Sequence, residues 1–298
     1  MRKPLLILVC IVALFSIATV KPQDTKTTKI IQQYLKMPHP EDASFNEARI
    51  ARMEVLAGLE AMPDDAAGAI GRVLSEVKNP RQRAELAETL GRYSHTKESA
   101  ALLFKLLKDS DENVRGQAIH GLRMMARRTN RAGGKRTQRG SDFAPRVEGL
   151  VPYLISAVSD KAEINRVSAL YALADTREQP AVLELRNRLS DTSERVRFYA
   201  ACFLTEYQDA TGLSEMRKAL ARLRRIVPED NLNYDHYVQV EMLLASFERI
   251  TGKSFGRIPM NPLLGSNTRQ IQRTEKHYKV LLDTWAEWWA WEPKDEKK

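Results

Sequence analysis

The chain has 298 residues, 43% hydrophobic and 29% charged, with 14 Gly and 13 Pro. That is globular composition with length for one large or two ordinary domains, and it excludes collagen-like, mucin-like and wholly disordered chains. Two Cys (Cys10 and Cys202) and five scattered His exclude a disulfide framework, a CxxC redox pair and a thiolate zinc site, while 47 basic against 38 acidic residues give a formal charge of +9, which favours an anionic partner or surface at long range and also serves solubility.

The first element is an N-terminal segment. Residues 1 to 20 open with Arg2 and Lys3 and continue as an apolar run from Leu5 to Val20, with Ser16 and Ala18 at the spacing a signal peptidase prefers. The run falls short of the roughly 20 residues that a helix needs to cross a bilayer core. A cleaved signal, cut after Ala18, is expected, with an uncleaved membrane anchor as the alternative. The expected location is therefore periplasmic or secreted. Bulky Val9 ahead of Cys10 argues against a lipoprotein, and removal of the segment leaves Cys202 as the only thiol.

Self-similarity governs the next two hundred residues. The segments IARMEVLAGL (50 to 59), RQRAELAETL (81 to 90), NVRGQAIHGL (113 to 122), INRVSALYAL (164 to 173) and RVRFYAACFL (195 to 204) each carry Arg in third place and Leu seven later. The arginines, Arg52, Arg83, Arg115, Arg166 and Arg197, stand 31, 32, 51 and 31 residues apart. An insertion of about 19 residues explains the long gap. It lies at 127 to 144, RRTNRAGGKRTQRGSDFA, which is almost without apolar content. Between the Arg segments lie stretches such as ESAALLFKLLKD (98 to 109) and AVLELRNRLSD (181 to 191), apolar at i, i+3, i+4 and i+7. Each unit is thus a helical pair, with N-cap types such as Asp111 and Ser193 in its internal turn. A two-helix unit of about 31 residues cannot bury its apolar faces alone, so successive units must stack. The expected fold is all-α, a right-handed α-solenoid of about six pairs over residues 25 to 252. The sixth pair is degenerate, with Gln239 in the Arg place.

The string LLKDSDENVRGQAIHGL resembles a HEAT repeat of the short bacterial, PBS-lyase type, within the armadillo-like helical folds. The resemblance is carried by the turn Asp and the Arg early in the second helix. It implies a structural ladder in which Asp109 or Asp111, Asp160 and Asp191 pair with Arg115, Arg166 and Arg197 of the same and neighbouring units. Asn79 replaces the turn Asp ahead of Arg83 and interrupts that pattern.

Two segments carry other chemistry. The insertion concentrates Arg127, Arg128, Arg131, Lys135, Arg136 and Arg139, a polycation that can neutralise phosphates, sulfated sugars or an acidic protein. The cationic stretch 127 to 139 has no aromatic residue on which a base could stack. Residues 253 to 298 read as a loop through about 273, followed by a helix whose Trp285, Trp288 and Trp289 share one face. That face is expected to cap the last repeat or to meet a partner. No His falls at i, i+4 with another ligand, so no metal and no cofactor is expected. The exposed face of the second helices (Glu85, Glu88, Gln117, His120, Ser168, Tyr171, Tyr199, Cys202) shows no single chemistry, and Asp235 in YDHY reads as a cap.

The functional expectation is a non-catalytic, exported scaffold or adaptor that presents a concave surface to a protein partner, with no specific nucleic acid and with membrane contact only through an uncleaved N-terminus. Two alternatives differ in class. One is a surface polyanion binder working through the basic insertion, separable by its salt dependence. The other is an enzyme or enzyme accessory, because HEAT-like families include chromophore lyases and base-excision glycosylases; no tetrapyrrole pocket or base-flipping groove is visible in the sequence.

Overall fold

The computed structural model describes residues 26–37, 45–59, 63–131, 149–226, 234–256 and 268–291. Within these residues the protein is an all-α solenoid with no β-strand. The N-terminal segment 1 to 20 lies outside the described residues. No described helix is long and apolar enough to cross a membrane.

Six helical pairs follow one another. They are α1 (Lys26–Lys36) with α2 (Phe45–Ala57), α3 (Pro63–Leu74) with α4 (Pro80–Tyr93), and α5 (Lys97–Leu106) with α6 (Glu112–Arg131). Beyond the insertion come α7 (Leu150–Ala157) with α8 (Glu163–Thr176), α9 (Pro180–Asn187) with α10 (Glu194–Leu204), and α11 (Leu213–Ile226) with α12 (Tyr234–Thr251). A final helix, α13 (Thr268–Trp291), packs against α11 and α12.

The turns explain where the helices start. Asn79 accepts from Arg81 N at 2.9 Å with Pro80 opening α4, Thr96 accepts from Ser99 N to start α5, and Ser193 accepts from Val196 N to start α10. These are side-chain caps on otherwise orphaned N–H groups. α8 ends at Arg177, and the 3-10 turn Thr205–Tyr207 that extends α10 ends at Gln208, both in the left-handed region at φ 56° and 59°. The repeat is thus visible in the backbone as well as in the side chains.

The two layers pack differently. The second helices α4, α6, α8 and α10 touch along one continuous run, whereas the first helices touch each other sparingly. Tighter spacing on the second-helix side bends the array toward that side, making it the inner surface. Small residues permit the approach: a Cβ added at Gly91 would lie 2.1 Å from the Gly121 Cα, so α4 and α6 meet backbone to backbone there. Gly91→Ala is therefore expected to lower stability by about 1–3 kcal/mol through forced separation of the helices, despite the gain in helix propensity. Gly68→Ala is its control, since the nearest atom there is the flexible Arg72 Nη1 at 3.6 Å. Denaturant midpoints of the two variants should fall on opposite sides of the parent.

Two boundaries differ from the sequence reading. α6 runs through Arg131, so Arg127, Arg128 and Arg131 belong to a helix and not to the insertion loop. Arg is a good helix former, and the chain lacks a breaker until Gly133 and Gly134. Likewise α13 starts at Thr268, so residues 268–273 are helical, because Pro262 and Gly265 are the last breakers before it.

Candidate interaction surface

The repeat arginines build three nearly identical rungs. Arg83 donates Nε and Nη2 to Asp109 at 2.8 and 2.9 Å, Arg115 to Asp160 at 2.6 and 3.0 Å, and Arg166 to Asp191 at 3.1 and 3.0 Å. In each rung Nη1 reaches back to carbonyls of the arginine's own turn: Val77 and Lys78, Asp109 and Ser110, Asp160 and Lys161. Each acid in turn accepts the N–H two residues on, from Asp111, Ala162 and Ser193. One guanidinium therefore ties its own turn to the turn of the next unit.

Three members of the expected ladder stand elsewhere. Asp111 takes no guanidinium; its carboxylate accepts from Asn113 N and Val114 N and caps α6. Arg197 keeps the carbonyls of Asp191 and Thr192 but finds Glu215 of α11 at 3.0 Å in place of a turn Asp. Asp109 pairs with Arg83 and gives Arg115 only its carbonyl. The place of the rung acid ahead of Arg83 is held by Val77, while Asn79 caps α4, so the buried Arg52 turns to Glu85 of α4 at 2.9 and 3.1 Å, and the Tyr34 hydroxyl donates to the same carboxylate at 2.8 Å.

These pairs make stability depend on acid. Burial raises the Asp160 carboxyl, but the Arg115 guanidinium and the Ala162 N–H outweigh it, so its pKa lies below the ordinary value; Asp109 is lowered likewise against burial by Arg83 and Asp111 N. A carboxyl whose folded pKa is depressed contributes stability above its unfolded pKa and loses it as pH falls through the folded one. Unfolding free energy should therefore hold down to about pH 4, where free carboxylates titrate, and then fall. Asp160→Asn should flatten that fall, measured by urea titration at each pH.

The inner surface between α4 and α12 brings together residues far apart in sequence. Arg123 lies over the Tyr171 ring at 4.4 Å and donates Nε to Asp175 at 2.7 Å; Arg127 reaches the same carboxylate oxygen at 3.0 Å. Tyr171 packs on Tyr199 and Phe203, and Arg195 stands 6.0 Å from the Tyr199 ring. Arg195 also donates to Asp235 at 2.7 Å, whose second oxygen accepts from Gln239 at 2.6 Å. Asp235 thus anchors α12 to α10 through its side chain instead of capping a helix. Burial first, then Tyr171 and Asp235, push the Tyr199 hydroxyl up, so it stays protonated. Burial also pushes the Cys202 thiol up to about 12, which leaves it a poor nucleophile.

The face therefore carries Arg123 and Arg195 seated on a half-buried Tyr171 and a buried Tyr199, where the sequence reading saw no common chemistry. Arg92, Arg123, Asp175 and Arg195 were absent from that reading. The signal for the first three is a recurring place eight or nine residues after the repeat Arg, which holds Arg92, Arg123 and Asp175 in three successive units.

At the far end, Trp285 is buried between Phe247 and Phe255, with ring centroids 5.0 and 4.7 Å away. Trp288 and Trp289 flank it, and Arg217 of α11 lies 4.2 Å over the Trp289 ring. Of the six basic candidates, Arg127 is placed with its side chain half exposed and paired with Asp175, and Arg128 and Arg131 belong to the end of α6. Lys135, Arg136 and Arg139 lie outside the described residues. Among the described residues no cluster of three or more His, Cys, Asp or Glu could hold a metal ion.

Comparison with known proteins bears on the repeat itself. The family of HEAT repeats matches residues 70–133. That stretch is a run of HEAT repeats. The matched stretch includes α4, α5 and α6, with the Arg83–Asp109 rung inside it. No curated protein matches the chain. Among solved structures it is similar to a designed armadillo repeat protein in complex with the peptide (KR)4, at 14% identity, a TM-score of 0.39, and coverage of 75% of this chain and 100% of the other. It is also similar to YibA of Escherichia coli, at 16% identity, a TM-score of 0.32, and 85% and 94% coverage. Human deoxyhypusine hydroxylase in complex with glycerol matches at 15% identity, a TM-score of 0.26, and 87% and 97% coverage.

Proposed function

We propose that this chain is an exported, non-catalytic scaffold of HEAT-repeat type that holds a protein partner along its second-helix surface. The observation that carries the reading is the pairing of Arg123 with the half-buried Tyr171 and of Arg195 with the buried Tyr199, spread over three consecutive units. Guanidinium groups stacked on aromatic rings are held in place before a partner arrives, so little side-chain entropy is lost on contact. Arg and Tyr are also the residue types that dominate binding energy at protein interfaces. The rungs make the surface rigid by tying each turn to the next. Export follows from the N-terminal segment, and α13 with its tryptophans is the end piece that closes the apolar side of unit six.

A photo-crosslinking amino acid placed at Ser168 on α8, and separately at Leu183 on the outer side of α9, tests the reading in the exporting cell. Crosslinks to a discrete protein from position 168, absent from position 183 and abolished by Arg195→Glu, are expected. Equal yields from both positions would remove the inner surface from the function. Accumulation of the uncut chain inside the cell would remove export.

A further inference from the structure

Three arginines of the inner surface converge on one place. Among the described residues, Arg92 on α4 and Arg123 and Arg127 on α6 all lie close enough to His120 to act on its charge, with the Glu88 carboxylate opposing them. Glu88 holds Arg92 at 2.6 Å, and Asp175 from α8 is shared by the Nε atoms of Arg123 and Arg127. Among the described residues two carboxylates thus serve three guanidinium groups, and the side chains of Arg92 and Arg127 are 44% and 50% exposed. Arg123 is fixed from below by the Tyr171 ring. With only one Asp175 oxygen engaged by both arginines, fork-like pairing is incomplete on each, which is the geometry a further carboxylate satisfies.

We propose that Arg92, Arg123 and Arg127 seat an acidic segment of the protein partner. This rests on the scaffold reading and adds the chemistry of the partner. Spaced carboxylates fit better than a dense phosphate or sulfate chain. Glu88 and Asp175 lie among the arginines and repel a continuous polyanion, while leaving gaps that single side-chain carboxylates can enter. Tyr171 beside Arg123 offers such a segment apolar contact between its acids.

The test uses the full chain and a fluorescein-labelled peptide of alternating Glu and Tyr, with a Lys and Tyr peptide and a heparin fragment as comparators, read by anisotropy. The Glu peptide should bind, and Arg127→Gln and Arg92→Gln, both at exposed positions that leave the fold intact, should each weaken it about tenfold, the worth of one charge-assisted pair. Asp175→Asn should tighten it several-fold by freeing both arginines. Burial and the three arginines hold the His120 pKa below its ordinary value, with Glu88 opposing. Its titration, followed by NMR, should therefore move upward when peptide carboxylates arrive. Unchanged affinity in both Gln variants, or tighter binding of heparin with the same arginine dependence, would overturn the proposal. If the peptide fails while the Ser168 crosslink persists, the acidic class alone is lost; if both fail, the scaffold reading falls too.

Discussion

Replacing Arg115 with Ala is expected to cost about 3–5 kcal/mol, the range for removing one partner of a buried, hydrogen-bonded ion pair. Arg115 and Asp160 are each only 6% exposed in their side chains. The substitution leaves the Asp160 carboxylate without its counter-charge and strips the Asp109 and Ser110 carbonyls of a donor. Burial alone acts to raise the Asp160 carboxyl, and only the guanidinium and neighbouring N–H groups reverse that, so without Arg115 the acid is expected to take up a proton more readily. Arg115→Lys should recover little, because an ammonium cannot engage both carboxylate oxygens and the two carbonyls at once. Arg92→Ala, which removes an exposed i, i+4 pair with Glu88, should cost no more than about 0.5 kcal/mol. Urea denaturation of the three variants checks the ranking, and equal midpoints would refute the structural role of the rung.

The Trp285→Ala variant should lose a similar amount, about 3–5 kcal/mol, for a different reason. Trp285 is 1% exposed and fills the space between Phe247 of α12 and Phe255, with Trp288 and Trp289 around it. Truncation there leaves a large apolar void at the junction of α13 with unit six. In a stacked array each unit leans on its neighbours alone, so the damage should stay at that end. Hydrogen exchange should show α13 and α12 opening faster while α4, α6 and α8 keep their protection. Uniform loss of protection along the chain would show that the array unfolds as one block.

Much of the architecture was legible because the array solves one geometric problem repeatedly. A guanidinium must leave the second helix at a fixed place to reach its own turn carbonyls, and Leu seven residues on must meet the core, so Arg and Leu recur in register. The direction of the rung was not legible. Resemblance allowed pairing within or between units, whereas the backward reach of Nη1 commits Nε and Nη2 to the following unit. Arg52 and Arg197 show the rule from its exceptions: Val77 and Asn233 stand six residues before the next repeat place, where the other units have Asp, and each arginine finds a glutamate on a helix instead.

The inner surface was hidden for another reason. Arg123 and Tyr171 are 48 residues apart with the insertion between them, and nothing in either helix alone marks them as partners. Gly91 and Gly121 read singly as weak helix positions, and their meaning appears only when the two backbones touch. The Trp face could be read from its i, i+3, i+4 spacing, but not that Phe247 and Phe255 would receive it.

The seam between α6 and α8 has a consequence for the chain as a molecule with ends. It is crossed by Arg115 to Asp160, by Asn165 Nδ2 to the Glu112 carbonyl, and by Arg123 and Arg127 to Asp175. None of these links runs through residues 132–148. Covalent continuity there is dispensable to the join, so a protease cut between Arg131 and Gly149 should yield two pieces that travel as one particle. The same independence leaves evolution at liberty to lengthen, shorten or recharge that crossing without disturbing the stack on either side.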